Sequence, residues 1–583
     1  MKIGDIPAIG LLLAGSLCLL PFLVPYHQEP FLSFFPEWLA AALGISAAAV
    51  VLAGDRATSA RLPTPGLWLL AFAAFLTVQA AFGGRPYPQL SLLGALYVLY
   101  AVLMIWVGAQ LAAEFGVERV ATVLAAFLLA GALANAVAGS IQFHGRPALL
   151  QEIVAELRGG RPYGNIAQAN LYADYLALGE GALLFLWLRG RVRSIFALAG
   201  LALLVVGSAL TSSRSVVLYA LSYAALAFFT VRAHDPVETR RLRFAACFLA
   251  GAALAAYFAV PWANSAFHSG PHFDRPLAMP GEYAEPRIGA FVLGLGSFVS
   301  APLLGTGIGG FAGSAYERGL DASLTRFGEV WTSPHNLALH LLAETGLVGT
   351  LLGLGGLFAW GAQIVRRYRA EPQLELWWLA AAVGIVLIHS AIEFPLWSAH
   401  FLGVTALLIG ASASSKPALE SSAGRIGAAA ICIVLTVTLG LLLRDYMRLD
   451  VTRITGTTVT LAPAAQTQSD AATMRELTRG FLAPLAERWI VLGTPLDKVD
   501  LADKLAVSER VSRSWPAGAI IVRRAVFLAF DDRAAEARTA LARALRAFPQ
   551  RREATILILR QALPADPEAI GPLLALAQAG APR

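Results

Sequence analysis

The sequence predicts an all-α polytopic membrane protein with about 12–13 transmembrane helices. Hydrophobic residues make up 57% of its 583 residues and charged residues only 14%, whereas a soluble domain carries about 25% charge. Apolar runs of about 20 residues, the length that crosses a bilayer as a helix, recur through the first 443 residues. This composition excludes a soluble enzyme, a disordered chain and a collagen-like fibre.

Each membrane helix is predicted from one apolar run, and thirteen runs are found. The first is interpreted as an uncleaved helix, because it is long and lacks a small-residue cleavage site. The runs lie near residues 8–25, 36–53, 65–82, 89–112, 118–142, 169–188, 194–210, 215–231, 243–262, 336–364, 374–391, 394–412 and 425–443.

The distribution of basic residues predicts the orientation of these helices. One set of alternate loops carries sixteen Lys and Arg residues, and the short loops of the other set carry five. Because basic loops stay in the cytoplasm, the first set and the N-terminus are expected inside and the C-terminus outside. The net charge of +7 is explained in the same way, so no nucleic-acid partner is predicted.

Two outer segments are longer than simple turns, residues 143–168 and 263–335. Within the second, 286–303 is apolar but short, which predicts a helix at the membrane interface. After residue 443 the apolar runs end, and 444–583 is predicted to be a helical domain on the outer side, which is periplasmic if the resemblance given below holds. The prolines at 516 and 549 bracket one helical hairpin of about tetratricopeptide length.

Unusual polar residues gather at the predicted outer face, and the first group precedes the span at 169–188. It contains Arg161, Tyr163, Asn165 and Gln168 around a Gly and a Pro. Gly and Pro favour a tight turn, and the amides offer neutral hydrogen-bond donors and acceptors. The group is either a loop that starts the helix or a loop that contacts a sugar or phosphate.

Two arginines at the outer face are candidate anion ligands. Arg214 follows Ser213 in a short turn between two spans, where it either snorkels to the interface or meets an anion. Hydroxyls beside an Arg at a helix start suit a phosphate. Arg287 precedes the short apolar segment and alone would be an ordinary loop residue.

His335 and Asn336 lie at the outer mouth of the span at 336–364. A lone His is more often structural, but His335 follows a proline, starts a helix and faces the side of the two arginines. His340 and Glu344 share one helix face, yet their spacing matches no standard metal site. No metal is predicted.

Three further features complete the outer face. The sequence from Gly305 to Gly310 fits a dinucleotide-binding pattern, but no strand precedes it, so a flexible turn is expected. His389 and Glu393 form the turn between two spans, and Glu393 is a candidate substrate contact. Asp174 and Glu180 lie inside the helix that follows the first group, where packing or helix pairing is the stronger explanation.

Taken in order, these motifs resemble the O-antigen ligase and O-antigen polymerase superfamily of bacterial inner-membrane proteins. The resemblance covers about residues 60–412, and the chain is most similar to the protein O-oligosaccharyltransferases that glycosylate pilins. One departure is Ala167-Gln168, where that branch often has Asn-Gln. The motifs are Gly164-Asn165, Ser213-Arg214, Arg287, Pro302 to Gly307, Pro334-His335-Asn336, Glu344-x-Gly346, His389-Ser390 and Glu393-Phe394-Pro395-Leu396.

The resemblance implies a glycosyltransferase of the inner membrane whose active site faces the periplasm. Its donor is implied to be a glycan on undecaprenyl diphosphate, and its acceptor a protein hydroxyl such as that of a pilin. The matching catalytic residues are Arg214, Arg287 and His335. Arginine suits the diphosphate because its planar fork binds phosphate oxygens in pairs; His335 takes the acceptor proton or bonds the diphosphate. Direct displacement inverts the anomeric carbon, and neither metal nor other cofactor is predicted.

Three other functions remain open from the sequence. A lipid A-core ligase and an O-antigen polymerase share the donor chemistry, and the extra C-terminal domain weighs against the polymerase. A transporter of lipid-linked sugar is a different class, which is disfavoured because transporter sites lie near the midplane between internal repeats. Lipid contacts are expected in every case, with the undecaprenyl tail along apolar helix faces.

Overall fold

The computed structural model consists of α-helices, short 3-10 helices and loops. It contains no β-strand in the described part of the chain, which confirms the all-α prediction. The described residues are 6–28, 31–54, 62–82, 85–158, 160–229, 236–267, 280–318, 330–413, 422–456 and 476–579.

Helices α1 to α9 occupy the positions of the first nine predicted spans. They are α1 (Ile6–Leu17), α2 (Phe34–Ala53), α3 (Thr64–Phe82), α4 (Pro88–Phe115), α5 (Val117–His144), α6 (Ala169–Leu188), α7 (Ser194–Leu210), α8 (Ser215–Phe229) and α9 (Pro236–Phe267).

The rest of the described chain continues as helices. They are α10 (Pro280–Ser300), α11 (Phe311–Arg318), α12 (Leu337–Ala370), α13 (Leu374–Ser390), α14 (Ala399–Ser412), α15 (Ser422–Gly456), α16 (Ala483–Gly493), α17 (Leu501–Ser514), α18 (Gly518–Phe530), α19 (Ala534–Ala547), α20 (Arg552–Ala562) and α21 (Pro567–Ala579).

Eight helices in the described ranges are long and apolar enough to cross a membrane, namely α2–α6, α9, α12 and α15. The chain is therefore a multi-pass membrane protein. The five other predicted spans appear at the predicted places as shorter apolar helices of 12–17 residues, α1, α7, α8, α13 and α14. Helices α7, α8 and α13 match their predicted runs to within two residues, whereas α1 ends before a turn that contains Pro21 and α14 begins after a turn that contains Pro395.

The predicted interfacial segment at 286–303 overlaps helix α10, of which only 288–300 form an apolar stretch. The predicted boundary at residue 443 lies inside α15 and stays a prediction. By its internal packing, the chain instead divides into two compact units. The first comprises Met1–Ala71, Tyr97–Pro280 and Gly353–Leu439; the second comprises Phe72–Leu96, Gly281–Leu352 and Gly440–Arg583.

Helix α6 is the centre of the first unit, and it packs on α5, α7, α8, α9 and α13. All its residues from Tyr172 to Leu186 are buried. Buried tyrosine hydroxyls tie it to its neighbours: Tyr175 donates to the carbonyl of Cys18 at 2.7 Å, and Tyr223 of α8 donates to that of Ala177 at 2.9 Å. These bonds satisfy hydroxyls that have no access to water.

In the second unit, α11 shares an apolar core with the C-terminal helices. Phe311 and Tyr316 of α11 lie in one cluster with Phe527, Leu541 and Phe548. Burial raises the pKa of Tyr316 to about 12, because ionisation would place a charge among apolar side chains.

The C-terminal helices follow one another as consecutive helical pairs. The pair α18–α19 coincides with the predicted hairpin at 516–549, since its helices are joined by the turn at 531–533 and pack on each other. The pairs α16–α17 and α20–α21 precede and follow it.

Candidate functional site

The loop before α6 is built around the side chain of Asn165, which is buried. Its amide nitrogen donates to the carbonyls of Leu23 and Ile153, and its amide oxygen accepts from the backbone of Ala155 at 2.9 Å. Gly164 before it has a φ of +56°, and a Cβ there would meet Asn135. These bonds favour the loop-forming interpretation of Asn165.

Tyr163 and Gln168 are also engaged in this loop. The hydroxyl of Tyr163 donates to the carbonyl of Glu156 and accepts from the amide of Arg158. Burial raises its pKa, so the hydroxyl is neutral. Gln168 caps α6, because its side-chain oxygen accepts from the amide of Leu171 at 2.6 Å. Capping satisfies one of the free amides of a helix start.

Asn170 in the first turn of α6 brings three predicted site residues together. Its side-chain oxygen accepts from Arg161 Nη2 at 3.1 Å and from Ser213 Oγ at 3.0 Å. Its side-chain nitrogen donates to Glu393 Oε1 at 2.9 Å. Arg161 Nε also donates to the carbonyl of Thr211 at 2.7 Å. We call Arg161, Asn170, Ser213 and Glu393 the polar cluster.

Arg214 lies beside the polar cluster, in the turn between α7 and α8. Its neighbour Ser213 belongs to the cluster, and Ser212 before it has a φ of +51°, which is sterically costly for a residue with a Cβ. Arg214 itself is exposed at the start of α8. Tyr257 of α9 lies within electrostatic range of both Arg214 and Arg161. This end of the unit therefore holds two guanidinium groups at a helix N-terminus, the arrangement that favours an anion.

One turn deeper, α6 makes a second polar contact. Asp174 Oδ2 lies 2.8 Å from His389 Nδ1, and both side chains are fully buried. Further along α6, Glu180 accepts from Ser208 at 3.1 Å. The partners of Asp174 and Glu180 lie on other helices, His389 on α13 and Ser208 on α7. The structure therefore shows the helix pairing that was the stronger expectation for these two carboxylates.

In the second unit, His335 has a strained backbone with a φ of +53°. Its amide donates to Ser333 Oγ at 3.0 Å, and its half-buried ring packs edge-on against Trp331. Asn336 beside it caps α12, since its side-chain oxygen accepts from the amide of Leu339 at 2.9 Å.

His340 and Glu344 contact each other, with 3.4 Å between His340 Nε2 and Glu344 Oε1. The same carboxylate oxygen accepts from the amide of Phe311 at the start of α11. These side chains hold the start of α11 against α12. Among the described residues, no group of three His, Cys, Asp or Glu side chains lies close enough to hold a metal.

The glycine-rich segment is a hydrogen-bonded turn that packs against a break in α12. Amides of Thr306 and Gly307 donate to the carbonyls of Ala343 and Glu344. The break lies at Gly346, whose φ is +63°. The predicted turn is therefore present but fixed, because its backbone supplies partners to the carbonyls that the broken helix leaves unbonded.

The predicted site residues thus form two groups, one in each unit. Arg161, Ser213, Arg214 and Glu393 lie together in the first unit, and His335 and Asn336 are adjacent in the second. Arg287 lies in α10, and its side chain is outside the described residues.

Sequence reasoning missed Asn170 as the residue that organises the polar cluster. The feature of the sequence that could have indicated it is an amide side chain in the first turn of an apolar helix, four residues before Asp174. His389 and Glu393 have the same spacing at the end of α13.

Comparisons with known proteins agree with the resemblance. The O-antigen ligase family matches residues 199–354, and the C-terminal family of virulence factor membrane-bound polymerases matches 377–561. The general O-oligosaccharyltransferase of Acinetobacter baylyi (strain ATCC 33305 / BD413 / ADP1) is 25% identical over 460 residues, which cover 75% of each chain.

The polymerase match includes α16 to α19 and most of α20. From the sequence alone, the extra C-terminal helices weigh against a polymerase. This match removes that argument. The match to the O-antigen ligase family at 199–354 and the similarity to the oligosaccharyltransferase indicate that this multi-pass membrane protein is a glycosyltransferase-type enzyme, a glycan-transferring ligase that is similar to the O-antigen ligase and polymerase superfamily.

Proposed function

We propose that the protein transfers an oligosaccharide en bloc from undecaprenyl diphosphate to a hydroxyl of an acceptor protein such as a pilin. The name of the Acinetobacter relative, a general O-oligosaccharyltransferase, supports transfer of a whole oligosaccharide to an oxygen atom, and the protein acceptor follows from the resemblance of the sequence motifs. The excess of basic residues in one set of loops predicts that the polar cluster lies on the opposite side of the membrane. This orientation supports an inner-membrane protein whose polar cluster faces the periplasm. Lipid A-core is the alternative acceptor, which the match to the O-antigen ligase family supports.

The observation that carries the proposal is the exposed Arg214 beside the hydrogen-bonded polar cluster. A glycosyl diphosphate needs cations for its phosphates and hydrogen-bonding groups that orient the reacting sugar. Arg214 is accessible to a ligand, whereas Arg161 is held by the carbonyl of Thr211 and by Asn170. In the proposal Arg214 binds the diphosphate directly, and Arg161 adds positive charge from a fixed position.

In the reaction, the acceptor oxygen forms a bond to the anomeric carbon while the bond from that carbon to the phosphate oxygen breaks. The bonding electrons leave with undecaprenyl diphosphate, and the acceptor proton passes to a base. Cations that stabilise the growing charge on the diphosphate lower the barrier. Direct displacement inverts the anomeric centre, and metal independence is part of the proposal.

His335 and Arg287 complete the proposed catalytic set. His335 is either the base or a diphosphate ligand; its strained backbone supports a functional role, since such strain concentrates at active sites. Arg287 is proposed as a second diphosphate ligand. Ser213 and Glu393 are proposed substrate contacts, whereas Tyr163, Asn165, Gln168 and Asn336 are proposed to shape the elements around them.

An in vitro transfer assay tests the proposal. Purified protein, undecaprenyl-diphosphate glycan and EDTA are combined with pilin and lipid A-core as competing acceptors. Glycosylated pilin is expected, and Arg214→Ala, Arg287→Ala and His335→Ala should abolish it while the protein still accumulates in the membrane. Glycan on lipid A-core alone would refute the protein acceptor, and full activity of a variant would remove that residue from the site.

The second candidate is a polymerase that extends the glycan on its lipid carrier, and the match of residues 377–561 favours it. The two reactions give different products from the same donor. Incubation with donor alone yields a ladder of longer lipid-linked glycans if the protein is a polymerase. An unchanged donor in that reaction, together with glycosylated pilin in the first, would exclude it.

A further inference from the structure

Two polar contacts, one helical turn apart, join α6 to the end of α13. Asn170 donates to Glu393 at 2.9 Å, and Asp174 Oδ2 lies 2.8 Å from His389 Nδ1. The members are four residues apart on each chain segment. The amide of Glu393 also donates to the carbonyl of His389 at 2.8 Å. A displacement of His389 would therefore carry Glu393 with it.

The deeper contact is made by ionisable groups without exposed surface. Asp174 and His389 are both 0% exposed, and an isolated charge among apolar helices is costly. A specific partner is what makes the pair tolerable.

Helix α8 also packs on this pair. The ring of Tyr219 lies 5.8 Å from the ring of His389, and its hydroxyl is within electrostatic range of Asp174 and Glu393. Tyr219 lies in α8, five residues after Arg214, which directly precedes that helix. Asp174 and His389 thus lie on or contact the three segments that carry Asn170, Glu393 and Arg214.

We propose that Asp174 and His389 are positioning residues for the transfer reaction. Asp174 restrains the imidazole through the close contact between Oδ2 and Nδ1, and His389 lies in the last turn of α13, after which Glu393 reaches Asn170. The inference rests on the proposed function, because it assumes that the polar cluster orients the reacting glycan. Loss of the pair should then slow the transfer step without weakening donor binding, which is assigned to Arg214.

The experiment compares Asp174→Asn, His389→Asn and the double variant D174N/H389N. Maximal transfer rate and binding of undecaprenyl-diphosphate glycan are measured separately on each purified full-length protein. Each single variant should lose about 10- to 100-fold in kcat, the loss expected when a reacting group is misplaced by about 1 Å, with donor Kd unchanged. Because the residues act as one unit, the double variant should lose no more than the worse single variant.

The reciprocal exchange D174H/H389D supplies a readout that a packing role would not give. It restores a carboxylate–imidazole pair in reverse order and should recover part of the lost rate. Glu180→Gln is the matched control, since it removes another buried carboxylate of α6 that bonds only Ser208 among the described contacts. Its rate should equal that of the wild type.

The outcomes separate this inference from the proposed function. If the wild type transfers glycan and Asp174→Asn keeps its full kcat, the positioning role is refuted. An equal loss in Asp174→Asn and Glu180→Gln would also refute it, because it would show a general dependence on buried polar groups. If the wild type transfers no glycan, the proposed function fails instead. Should the single variants fail to accumulate, the double variant, which leaves no unpaired ionisable partner, is measured in their place.

Discussion

The sharpest prediction concerns Asn170→Ala, which removes the side chain that joins the polar cluster. The substitution deletes the bonds from Arg161 and Ser213 and the bond to Glu393, at 3.1, 3.0 and 2.9 Å. The backbone of α6 is unaffected, since alanine favours helix. Arg161 keeps its bond to the carbonyl of Thr211. The change therefore releases the ends of three side chains without unfolding the elements that carry them.

The expected loss of stability follows from the number of these hydrogen bonds and from their position between buried helices. Side-chain hydrogen bonds between membrane helices contribute about 0.6 kcal/mol each on average, so three bonds give about 2 kcal/mol. Leaving a buried charge without any partner costs about 3–5 kcal/mol, but Arg161 retains a bond and Glu393 makes further contacts. We therefore expect a loss of about 2 kcal/mol in stability. The transfer rate should fall about 100-fold, because the cluster loses its alignment.

The assay measures transfer to acceptor protein together with thermal unfolding in detergent. Ser208→Ala is the control, because it removes one buried side-chain bond of the same unit, to Glu180. It should lose at least as much stability as Asn170→Ala, because the buried Glu180 is left without its hydroxyl partner, and it should keep its activity. Wild-type activity in Asn170→Ala would refute the view that this residue organises the site. Equal losses of activity in both variants would show that the effect is one of stability alone.

Three further predictions concern the second unit and the donor. Gly346→Ala should destabilise the protein by more than about 1–2 kcal/mol, the cost of a left-handed residue, because the added Cβ would also overlap the backbone of Leu303. The control is Gly440→Ala, whose Cβ meets no neighbour and which should have little effect. Equal melting temperatures of the two variants would contradict the prediction. Tyr316 has a pKa of about 12 in the folded protein and about 10 in the unfolded chain. Its contribution to the free energy of unfolding is therefore fully present below pH 10, and it falls by up to about 2.7 kcal/mol between pH 10 and 12 because only the unfolded chain ionises there. Tyr316→Phe should therefore lose less stability than the wild type over that interval, and identical losses would refute the assignment. Arg214→Lys should weaken donor binding measurably, since lysine cannot bind phosphate oxygens in pairs; unchanged affinity would argue against direct contact.

The sequence alone determined the class of the molecule and most of its elements. Apolar runs predict α-helices because a backbone in lipid must satisfy its own hydrogen bonds, and all thirteen runs are helical in the structure. Their lengths were less predictable. The run predicted at 394–412 is shortened at its start by a turn around Pro395, so that α14 begins at Ala399, and the effect of that turn depends on how the chain packs there.

The tertiary structure decided which polar residues meet and what each of them does. Asn165 and Arg161 belong to one sequence motif, yet Asn165 bonds the backbone of its own loop whereas Arg161 joins Asn170. Asp174 and His389 are 215 positions apart in the chain, so no local pattern could pair them. Hydropathy is a local property that periodicity reveals, but partners across helices depend on packing, and packing is fixed only when the whole unit is assembled.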